Sequence, residues 1–467
     1  MPRIAIIGAG SMVFSRNLIS DILAHESLKD TTFSLMDVDE ERLELAGAMA
    51  RSISAARKAG ARIEVTRDRR KALEGADYVV NTIGVGGFEA TKKDLLIPER
   101  YGVRQTIGDT LGIGGIFRSL RSIPVVLDMC RDIEQVCPDA LLLTYTNPMA
   151  THCLAIERAT KVRHVGLCHG VRYTRGRMIM LARLVEMGPD RAAEILAPWD
   201  PHEGTRNRFT EFFHECVLDR EVQAVCAGIN HMAAFLVFRR DGQDLYPLLR
   251  AAYEDERIRK IEYVRLELMM RFGYFMTETC GHISEYLPWF LKNEREIQRV
   301  RLRPNCYLLT CEDLERTFQE YKRRARCGEP FVEPDEPVSI EYASRIIHAI
   351  QTDQAYVFNG NQHNRGGALI SNLPGDSCVE VPTVASGLGL MPTSMGDLPP
   401  QLAAMMTSNI SVQDLVVRSV LEENRRHVYH AAYMDPNTAA TLTLPEIDAL
   451  VDEMIAAHGN LMPSFLR

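Results

Sequence analysis

The first 175 residues alternate apolar, strand-like runs with helical stretches, and this order constrains the fold more than any other feature. The five runs, written with the residues that end them, are RIAIIGAG (3–10), TFSLMDV (32–38), ADYVVNTIG (76–84), ALLLTYTNP (140–148) and VRHVGLCHG (162–170). Apolar runs without polar alternation are typical of strands buried on both faces, as in a parallel sheet covered by helices. The pattern therefore predicts an α/β fold with a Rossmann-like, doubly wound parallel sheet.

After residue 175 this alternation gives way to a mixed pattern. Segments 175–187 and 257–276 favour helices, 221–249 favours strands joined by an RDGQD turn, 368–385 favours strands with a turn, and 443–459 favours a helix. We therefore predict two domains, a doubly wound domain at 1–175 and a mixed α+β domain at 176–467. The sequence contains no obvious flexible linker, so the two are expected to pack together.

The composition of the 467-residue chain excludes several classes of function. A net charge of −8 argues against a nucleic-acid partner, because phosphate binding needs a basic face. No apolar run reaches the roughly 18 residues that suggest a membrane helix, and the N-terminus has no signal-peptide pattern, so no membrane partner is expected. The 11 cysteines are scattered without a CxxC pair, which favours reduced thiols and a cytoplasmic protein.

A glycine pair directly after the first predicted strand indicates a nucleotide site. Gly8 permits a tight turn, and Gly10 lets the backbone approach a pyrophosphate at the start of the next helix. Ser11 and Met12 begin that helix and are expected to line the same site. The usual third glycine position holds Val13, so the motif is incomplete.

An acidic residue at the end of the second predicted strand supports the same interpretation. Asp37 could accept hydrogen bonds from both ribose hydroxyls and would repel a 2′-phosphate, which favours NAD over NADP. The alternative is a doubly wound domain with a glycine turn and no cofactor.

Two similar loops, VGLCHGV (165–171) and AGINHMA (227–233), carry a cysteine and a histidine. Cys168 follows a predicted parallel strand, so it is expected at the carboxyl edge of the sheet, where ligands bind. Together with His231 it would give a metal only two protein ligands, leaving the site open for substrate and water. Sugar oxygens would complete an octahedral shell suited to Mn²⁺. Alternatively, each side chain is an ordinary core residue.

The sequence resembles glycoside hydrolase family 4, the NAD- and Mn²⁺-dependent glycosidases, nearly from end to end. The motifs that carry the resemblance are IGAGSMVF, LMDVD, IGDTLGIGGIFRSLRSIP, TYTNPMA, GLCHGV, CAGINHMA, SEYLPWF, NLPGDSCVEVP and MDPNTAA. Within that family the bacterial α-galactosidase (melibiase) branch is the most similar pattern.

The resemblance implies a metal site and an unusual reaction. Cys168 and His231 would hold Mn²⁺, and Asn147 would contact substrate hydroxyls and cofactor nearby, unless it only forms a turn before proline. The implied reaction oxidises sugar C3 by hydride transfer to NAD⁺, removes the C2 proton and eliminates the aglycone. Water then adds, and hydride returns to C3, so that the net reaction is hydrolysis.

Three further residues are candidates for chemistry. Tyr286 is the expected C2 base, and the alternative is a packed aromatic; the aspartate that other branches carry near this motif is replaced by Cys280. His169 could donate a proton, position a hydroxyl or cap its loop. Asp109, which precedes a glycine-rich loop at 112–115, is expected to face substrate or cofactor, or to serve as a helix N-cap.

The resemblance leaves the sugar open. It favours an α-galactoside, but the CHG triplet resembles members that release uronic acids, so an anionic C6 sugar (an α-glucuronide, α-galacturonide or sulfoquinovoside) is the alternative. Arg271 and Arg365 are the candidate partners for such an anion; alternatively, each is a solvated surface charge. Rival classes are an NAD-dependent 2-hydroxy-acid dehydrogenase and a non-enzymatic NAD sensor. A homodimer or homotetramer is expected from the resemblance.

Overall fold

A computed structural model describes residues 1–197 and 208–467. Its strands are β1 (Arg3–Ile7), β2 (Thr32–Met36), β3 (Arg62–Thr66), β4 (Tyr78–Asn81), β5 (Leu141–Thr144), β6 (His164–Leu167), β7 (Val222–Ala227), β8 (Ala234–Arg240), β9 (Gln243–Asp244), β10 (Tyr356–His363), β11 (Cys378–Ser386) and β12 (Gly389–Pro392).

The helices surround these strands. The first nine are α1 (Met12–Leu23), α2 (Glu40–Ala56), α3 (Arg69–Leu73), α4 (Gly87–Arg100), α5 (Gly112–Val136), α6 (Met149–Ala159), α7 (Gly170–Glu186), α8 (Pro189–Leu196) and α9 (Arg208–Leu218). The others are α10 (Tyr246–Glu254), α11 (Glu256–Arg259), α12 (Tyr263–Phe272), α13 (Cys280–Glu285), α14 (Glu294–Arg299), α15 (Cys306–Cys327), α16 (Ala343–Thr352), α17 (Pro400–Leu421), α18 (Arg425–Met434), α19 (Pro436–Ala439) and α20 (Leu444–His458). Within the described residues, no helix is both long and apolar enough to cross a bilayer.

The main sheet confirms the predicted α/β class. It has nine strands in the order β12-β11-β10-β6-β5-β4-β1-β2-β3, and the six strands from the N-terminal part run parallel. One of these, β3, escaped the sequence prediction because its side chains are mostly polar or half-exposed. The strand before Cys168 is therefore the sixth of the sheet in chain order and not the fifth.

Three strands from the C-terminal part extend the same sheet. β10 pairs antiparallel with β6, and β11 and β12 continue beyond it in antiparallel order. The segment 368–385 thus contributes one strand, β11, where strands with a turn were expected. The predicted boundary at residue 175 stays a prediction; the sheet itself is built from both sides of it.

A smaller sheet, β7-β8-β9, carries the predicted turn at 241–242 between its second and third strands. A pair of backbone hydrogen bonds between Gly228 and Glu380 joins the end of β7 to β11 of the main sheet. Segments 175–187 and 443–459 form helices α7 and α20, and 257–276 forms two shorter helices, α11 and α12. The bridge at Gly228 brings a loop of the small sheet to the main sheet.

The glycine-rich stretch 112–115 is the first turn of α5 and not a loop between sheet elements. A Cβ on Gly114 would lie 2.5 Å from the carbonyl oxygen of Gly108, and one on Gly115 would lie 2.6 Å from that of Thr110. These glycines therefore permit close packing of the helix against its own preceding loop.

Candidate active site at the carboxyl edge of the sheet

The β1–α1 turn has the geometry expected of a nucleotide-binding loop. Gly8 has φ = 91°, and a Cβ there would lie 2.8 Å from the Ile83 amide nitrogen, so only glycine fits without strain. Ser11 precedes α1 as its N-cap residue, without a side-chain capping bond, and Met12 begins the helix and is buried. The N-terminus of α1 is thus a suitable place for a pyrophosphate.

Asp37 lies directly after β2, as predicted, and holds this turn. Its Oδ2 accepts a hydrogen bond of 2.7 Å from the amide of Gly10, and Oδ1 accepts one of 3.0 Å from the amide of Asp39. The carboxylate is therefore positioned beside the glycine turn, and its contact with a ribose stays a prediction. The strand, glycine turn, helix and acid together fit a dinucleotide.

The structure brings Cys168 and His231 together. Cys168 follows β6 at the carboxyl edge of the sheet, His231 lies in the β7–β8 loop, and their Sγ and Nε2 atoms are 3.2 Å apart. The Gly170 amide donates to Cys168 Sγ at 3.3 Å. His231 has φ = 64°, an uncommon backbone conformation for a non-glycine residue. Strained conformations of this kind are concentrated at functional sites.

Two more side chains from the segment 277–282 complete this cluster. Glu278 Oε2 lies 3.4 Å from His231 Nε2 and 3.3 Å from His282 Nδ1. A backbone hydrogen bond of 2.8 Å from the Thr277 amide to the Ala233 carbonyl places this segment beside the histidine loop. Ligand atoms of Cys168, His231 and Glu278 all lie within 4.8 Å of one another.

The electrostatics of the cluster suit a divalent cation. Burial lowers the pKa of His231 to about 4, which keeps a lone pair free for coordination near neutral pH. Burial, with the negative charges of Glu278 and Glu380, raises the pKa of the Cys168 thiol well above its usual range. A bound cation would lower the pKa of the Cys168 thiol again. A soft thiolate, a neutral imidazole and a carboxylate together form a donor set that fits a transition metal.

Asn147 and Asp109 lie together beside this cluster. Asn147 Nδ2 donates to Asp109 Oδ2 at 3.2 Å, and Asp109 Oδ1 is 3.9 Å from His282 Nε2. Asp109 is not a helix N-cap, because the residue preceding α5 is Leu111. Burial raises the pKa of Asp109, but nearby positive charge, above all that of Arg118, outweighs burial and holds the pKa below its ordinary value.

Tyr286 is fully buried, with 0% of its surface exposed, and its hydroxyl lies 3.5 Å from His231 Nδ1. Burial raises the pKa of this phenol well above its ordinary value, and the neighbouring carboxylates add to the effect. Tyr286 is thus packed in the core and also contacts Nδ1 of His231. The other ring nitrogen of that histidine, Nε2, faces Cys168.

His169 contacts an acid that was not predicted. Its Nδ1 is 2.8 Å from Glu341 Oε1. Burial alone would lower the pKa of His169, but the hydrogen bond and charge of Glu341 raise it to about 9. His169 occupies the N-cap position of α7 without a side-chain capping bond, so its ring does not cap the helix.

The structure brings neither candidate arginine to this site. The Arg271 side chain is 66% exposed and bound to Glu267 on α12. Arg365 follows the end of β10, and because β10 runs antiparallel to β6 this end lies at the opposite edge of the sheet from Cys168. Their expected contact with an anionic sugar therefore has no support from the described contacts.

Sequence reasoning missed Glu278, His282 and Glu341. The first two lie in MTETCGHISEY, a motif already associated with Tyr286, but the spacing of this segment matches no metal-binding pattern. Glu341 lies far from His169 in sequence, in a stretch with no motif. The sequence held no signal that could have joined it to the site.

The sequence matches two models that together span most of it, the family 4 glycosyl hydrolase model over residues 3–185 and its C-terminal domain model over 226–438. An α-galactosidase of Bacillus subtilis (strain 168) is 37% identical over 478 residues, covering 100% of both chains. One of Rhizobium meliloti (strain 1021) is 36% identical, covering 99% of this chain and 89% of that one.

A solved structure has the same fold. A 6-phospho-α-glucosidase from gut microorganisms, in complex with NAD and Mn²⁺, superimposes with a TM-score of 0.77 at 19% identity, covering 99% of each chain. The chain belongs to the family 4 glycosyl hydrolases, as the resemblance indicated.

Proposed function

We propose that this glycoside hydrolase is an α-galactosidase that requires NAD and Mn²⁺. The observation that carries the proposal is the 3.2 Å contact between Cys168 Sγ and His231 Nε2 at the sheet edge that also holds the Gly8–Gly10 turn. Full-length relatives named α-galactosidases at 36–37% identity support the choice of sugar. The NAD and Mn²⁺ in the 6-phospho-α-glucosidase structure support the choice of cofactors.

The cofactors would explain why a hydrolase has a dinucleotide fold. When bound, NAD supplies a hydride acceptor for sugar C3 and Mn²⁺ supplies positive charge beside the substrate oxygens, which makes the C2 proton removable. Gly8, Gly10, Ser11, Met12 and Asp37 would hold the dinucleotide.

The remaining residues would act on the sugar. Cys168 and His231 would hold the metal, and the amide of Asn147, steadied by Asp109, would bind a hydroxyl or the cofactor. Tyr286 is the proposed base for the C2 proton; its hydroxyl lies 3.5 Å from His231 Nδ1, and a cation held by His231 would oppose the effect of burial and favour the phenolate. His169, kept protonated by Glu341, would donate a proton or hydrogen bond on the leaving-group side.

A substrate screen tests the proposal. The protein is supplied with NAD⁺ and Mn²⁺ and assayed on the nitrophenyl α-glycosides of galactose, glucose, glucuronic acid, galacturonic acid and sulfoquinovose. We expect the galactoside to be hydrolysed fastest and EDTA to abolish the activity. Faster hydrolysis of an acidic sugar would show that the substrate is the anionic alternative and not a galactoside. The proposed reaction would be unchanged.

A second assay addresses the rival enzyme class. A 2-hydroxy-acid dehydrogenase would reduce NAD⁺ with lactate or malate, and EDTA would spare it. NADH production from these acids without glycoside turnover would contradict the proposal.

We also propose that the enzyme is a cytoplasmic homodimer or homotetramer. All 11 cysteines are free, which supports a reducing compartment. Light scattering coupled to size-exclusion chromatography measures the oligomer size; a strictly monomeric active enzyme would contradict this part of the proposal.

A further inference from the structure

We propose that Glu278 is a third protein ligand of the metal, so that the chain holds the cation with a cysteine, a histidine and a glutamate. The inference rests on the proposed function, because it assumes that a divalent metal binds at Cys168 and His231. It adds a ligand that the two-loop pattern in the sequence did not predict.

The first argument is the convergence of three donor atoms on one point. His231 Nε2 lies 3.2 Å from Cys168 Sγ and 3.4 Å from Glu278 Oε2, so the same ring nitrogen faces both side chains. When His231 Nε2 carries no proton, this nitrogen and the Glu278 carboxylate oxygen are both hydrogen-bond acceptors and cannot bond to each other. One proton could satisfy a single pair, whereas one cation in the centre satisfies all three donors.

The second argument is that the backbone makes room for Glu278 at this position. A Cβ on Gly170 would lie 2.6 Å from Glu278 Cγ and 3.2 Å from Cys168 Sγ. Any other residue at position 170 would therefore push the glutamate away from the cysteine. The absence of a side chain here lets two loops close around the donor atoms.

The third argument is that Glu278 is anchored. Its carbonyl oxygen accepts hydrogen bonds from Thr174 Oγ1, at 3.1 Å, and from the guanidinium of buried Arg265. Its carboxylate lies beside His282, whose Nδ1 is 3.3 Å from Oε2 and is itself held by Thr279 Oγ1 at 2.9 Å. Such outer contacts fix the direction of a ligand and are expected around metal ligands.

Charge and coordination number agree with this assignment. A thiolate, a carboxylate and a neutral imidazole carry two negative charges, which balance a divalent cation. Three protein ligands leave about three positions of an octahedral shell open for two sugar oxygens and a water. The protein alone should therefore bind Mn²⁺ before any sugar arrives.

The test measures metal affinity in the full-length protein, stripped with EDTA and free of sugar. Mn²⁺ is titrated into the wild type and into Glu278→Gln, and free Mn²⁺ is followed by electron paramagnetic resonance. We expect the substitution to weaken Mn²⁺ binding at least ~10-fold, since even outer-shell changes cost that much. The matched control is Glu267→Gln, a buried glutamate on α12 bound to Arg271 and Arg299, which should leave the affinity unchanged.

Cobalt gives a spectroscopic readout that separates the ligands. At saturating Co²⁺, Glu278→Gln should keep the thiolate-to-metal charge-transfer band while its ligand-field absorption changes, and Cys168→Ser should lose the charge-transfer band. Glu278→Asp, which keeps the charge, should have intermediate Mn²⁺ affinity and serves if the glutamine variant does not fold.

The possible failures are distinguishable. Wild-type Mn²⁺ affinity in a folded Glu278→Gln or Glu278→Asp variant would overturn this inference and leave the proposed function standing. Absence of Mn²⁺ binding and of the cobalt–thiolate band in the wild type would overturn both.

Discussion

His231 shows at the scale of one residue how the fold serves the site. Its left-handed backbone, with φ = 64°, costs of order 1 kcal/mol in a non-glycine residue. The conformation directs Nε2 toward Cys168 and leaves Nδ1 facing the Tyr286 hydroxyl. The surrounding loops hold the residue in this conformation, so one ring nitrogen faces the cysteine and the other faces the tyrosine even without a bound ligand.

Gly170 offers a test at the same scale. Alanine at this position would place a Cβ 2.6 Å from Glu278 Cγ, so the carboxylate must move away from Cys168. We expect Gly170→Ala to weaken Mn²⁺ binding about as much as Glu278→Gln, at least ~10-fold, without unfolding the protein. Mn²⁺ titration, with thermal unfolding to check the fold, measures this.

Gly281→Ala is the control for that substitution. A Cβ on Gly281 would lie 3.4 Å from Thr106 Oγ1, an ordinary contact, although Gly281 lies in the same segment as Glu278. Mn²⁺ affinity should be unchanged. Equal losses in both variants would show that the effect of Gly170→Ala is not specific to the cluster.

The sequence indicated individual site residues where a local pattern surrounds them. Cys168 and His231 lie in two similar glycine-flanked loops, and the structure brings these loops together. Glu278 lies in a polar segment where a glutamate gives no local signal, and contacts with distant elements, such as the pairing of Thr277 with Ala233, bring it to the site. Such long-range contacts leave no periodic trace in the sequence.

At the scale of elements, the sequence predicted five of the six parallel strands and the strand segments at 221–249 and 368–385, but it did not predict the antiparallel strand β10. β10, with the sequence YVFNGNQH, joins the buried sheet although half of it is polar. Its Asn361 is buried, and its amide contacts Glu380 Oε1 at 3.3 Å and the Gly166 carbonyl at 3.4 Å. Because the partners of the Asn361 side-chain nitrogen lie on other strands, composition alone gives no indication of a central strand.

Helix α6 carries a buried histidine whose titration should control stability. His152 contacts Ser122 Oγ of α5 through Nε2, at 2.6 Å, and the Thr146 carbonyl through Nδ1, at 3.1 Å. Burial lowers its pKa to about 4, despite the opposing effect of the Thr146 carbonyl. Stability from the neutral ring is therefore present above pH 6.5 and is lost as the pH falls toward 4, where the folded ring must also protonate.

The substitution His152→Gln isolates this contribution, because glutamine can bond to both partners and does not titrate. Between pH 7 and pH 5 the wild type should lose about 2 kcal/mol more of its unfolding free energy than the variant. Unfolding curves in urea at the two pH values measure the difference. An identical pH dependence in both proteins would contradict the assignment.

At the scale of the molecule, the site is assembled from segments spread over most of the chain. The glycine turn follows β1, Cys168 follows β6, and His231 arrives from the small sheet through the bridge between Gly228 and Glu380. Parallel strands end at one edge, so the glycine turn and Cys168 share that edge, with β4 and β5 between their strands. The position of His231 depends on contacts between elements that are far apart in sequence. The prediction of two domains therefore did not indicate how the parts of the site come together.

The proposed function makes a prediction about the whole reaction. If the sugar C2 proton is removed by Tyr286 and later replaced from solvent, hydrolysis of a nitrophenyl galactoside in D₂O should yield galactose with deuterium at C2. Nuclear magnetic resonance of the product detects it. Tyr286→Phe should slow turnover ~100-fold or more, within the range for loss of a general base, and leave Mn²⁺ affinity within twofold. Complete retention of protium at C2 in the wild-type product would rule out the elimination route, whatever the metal site contains.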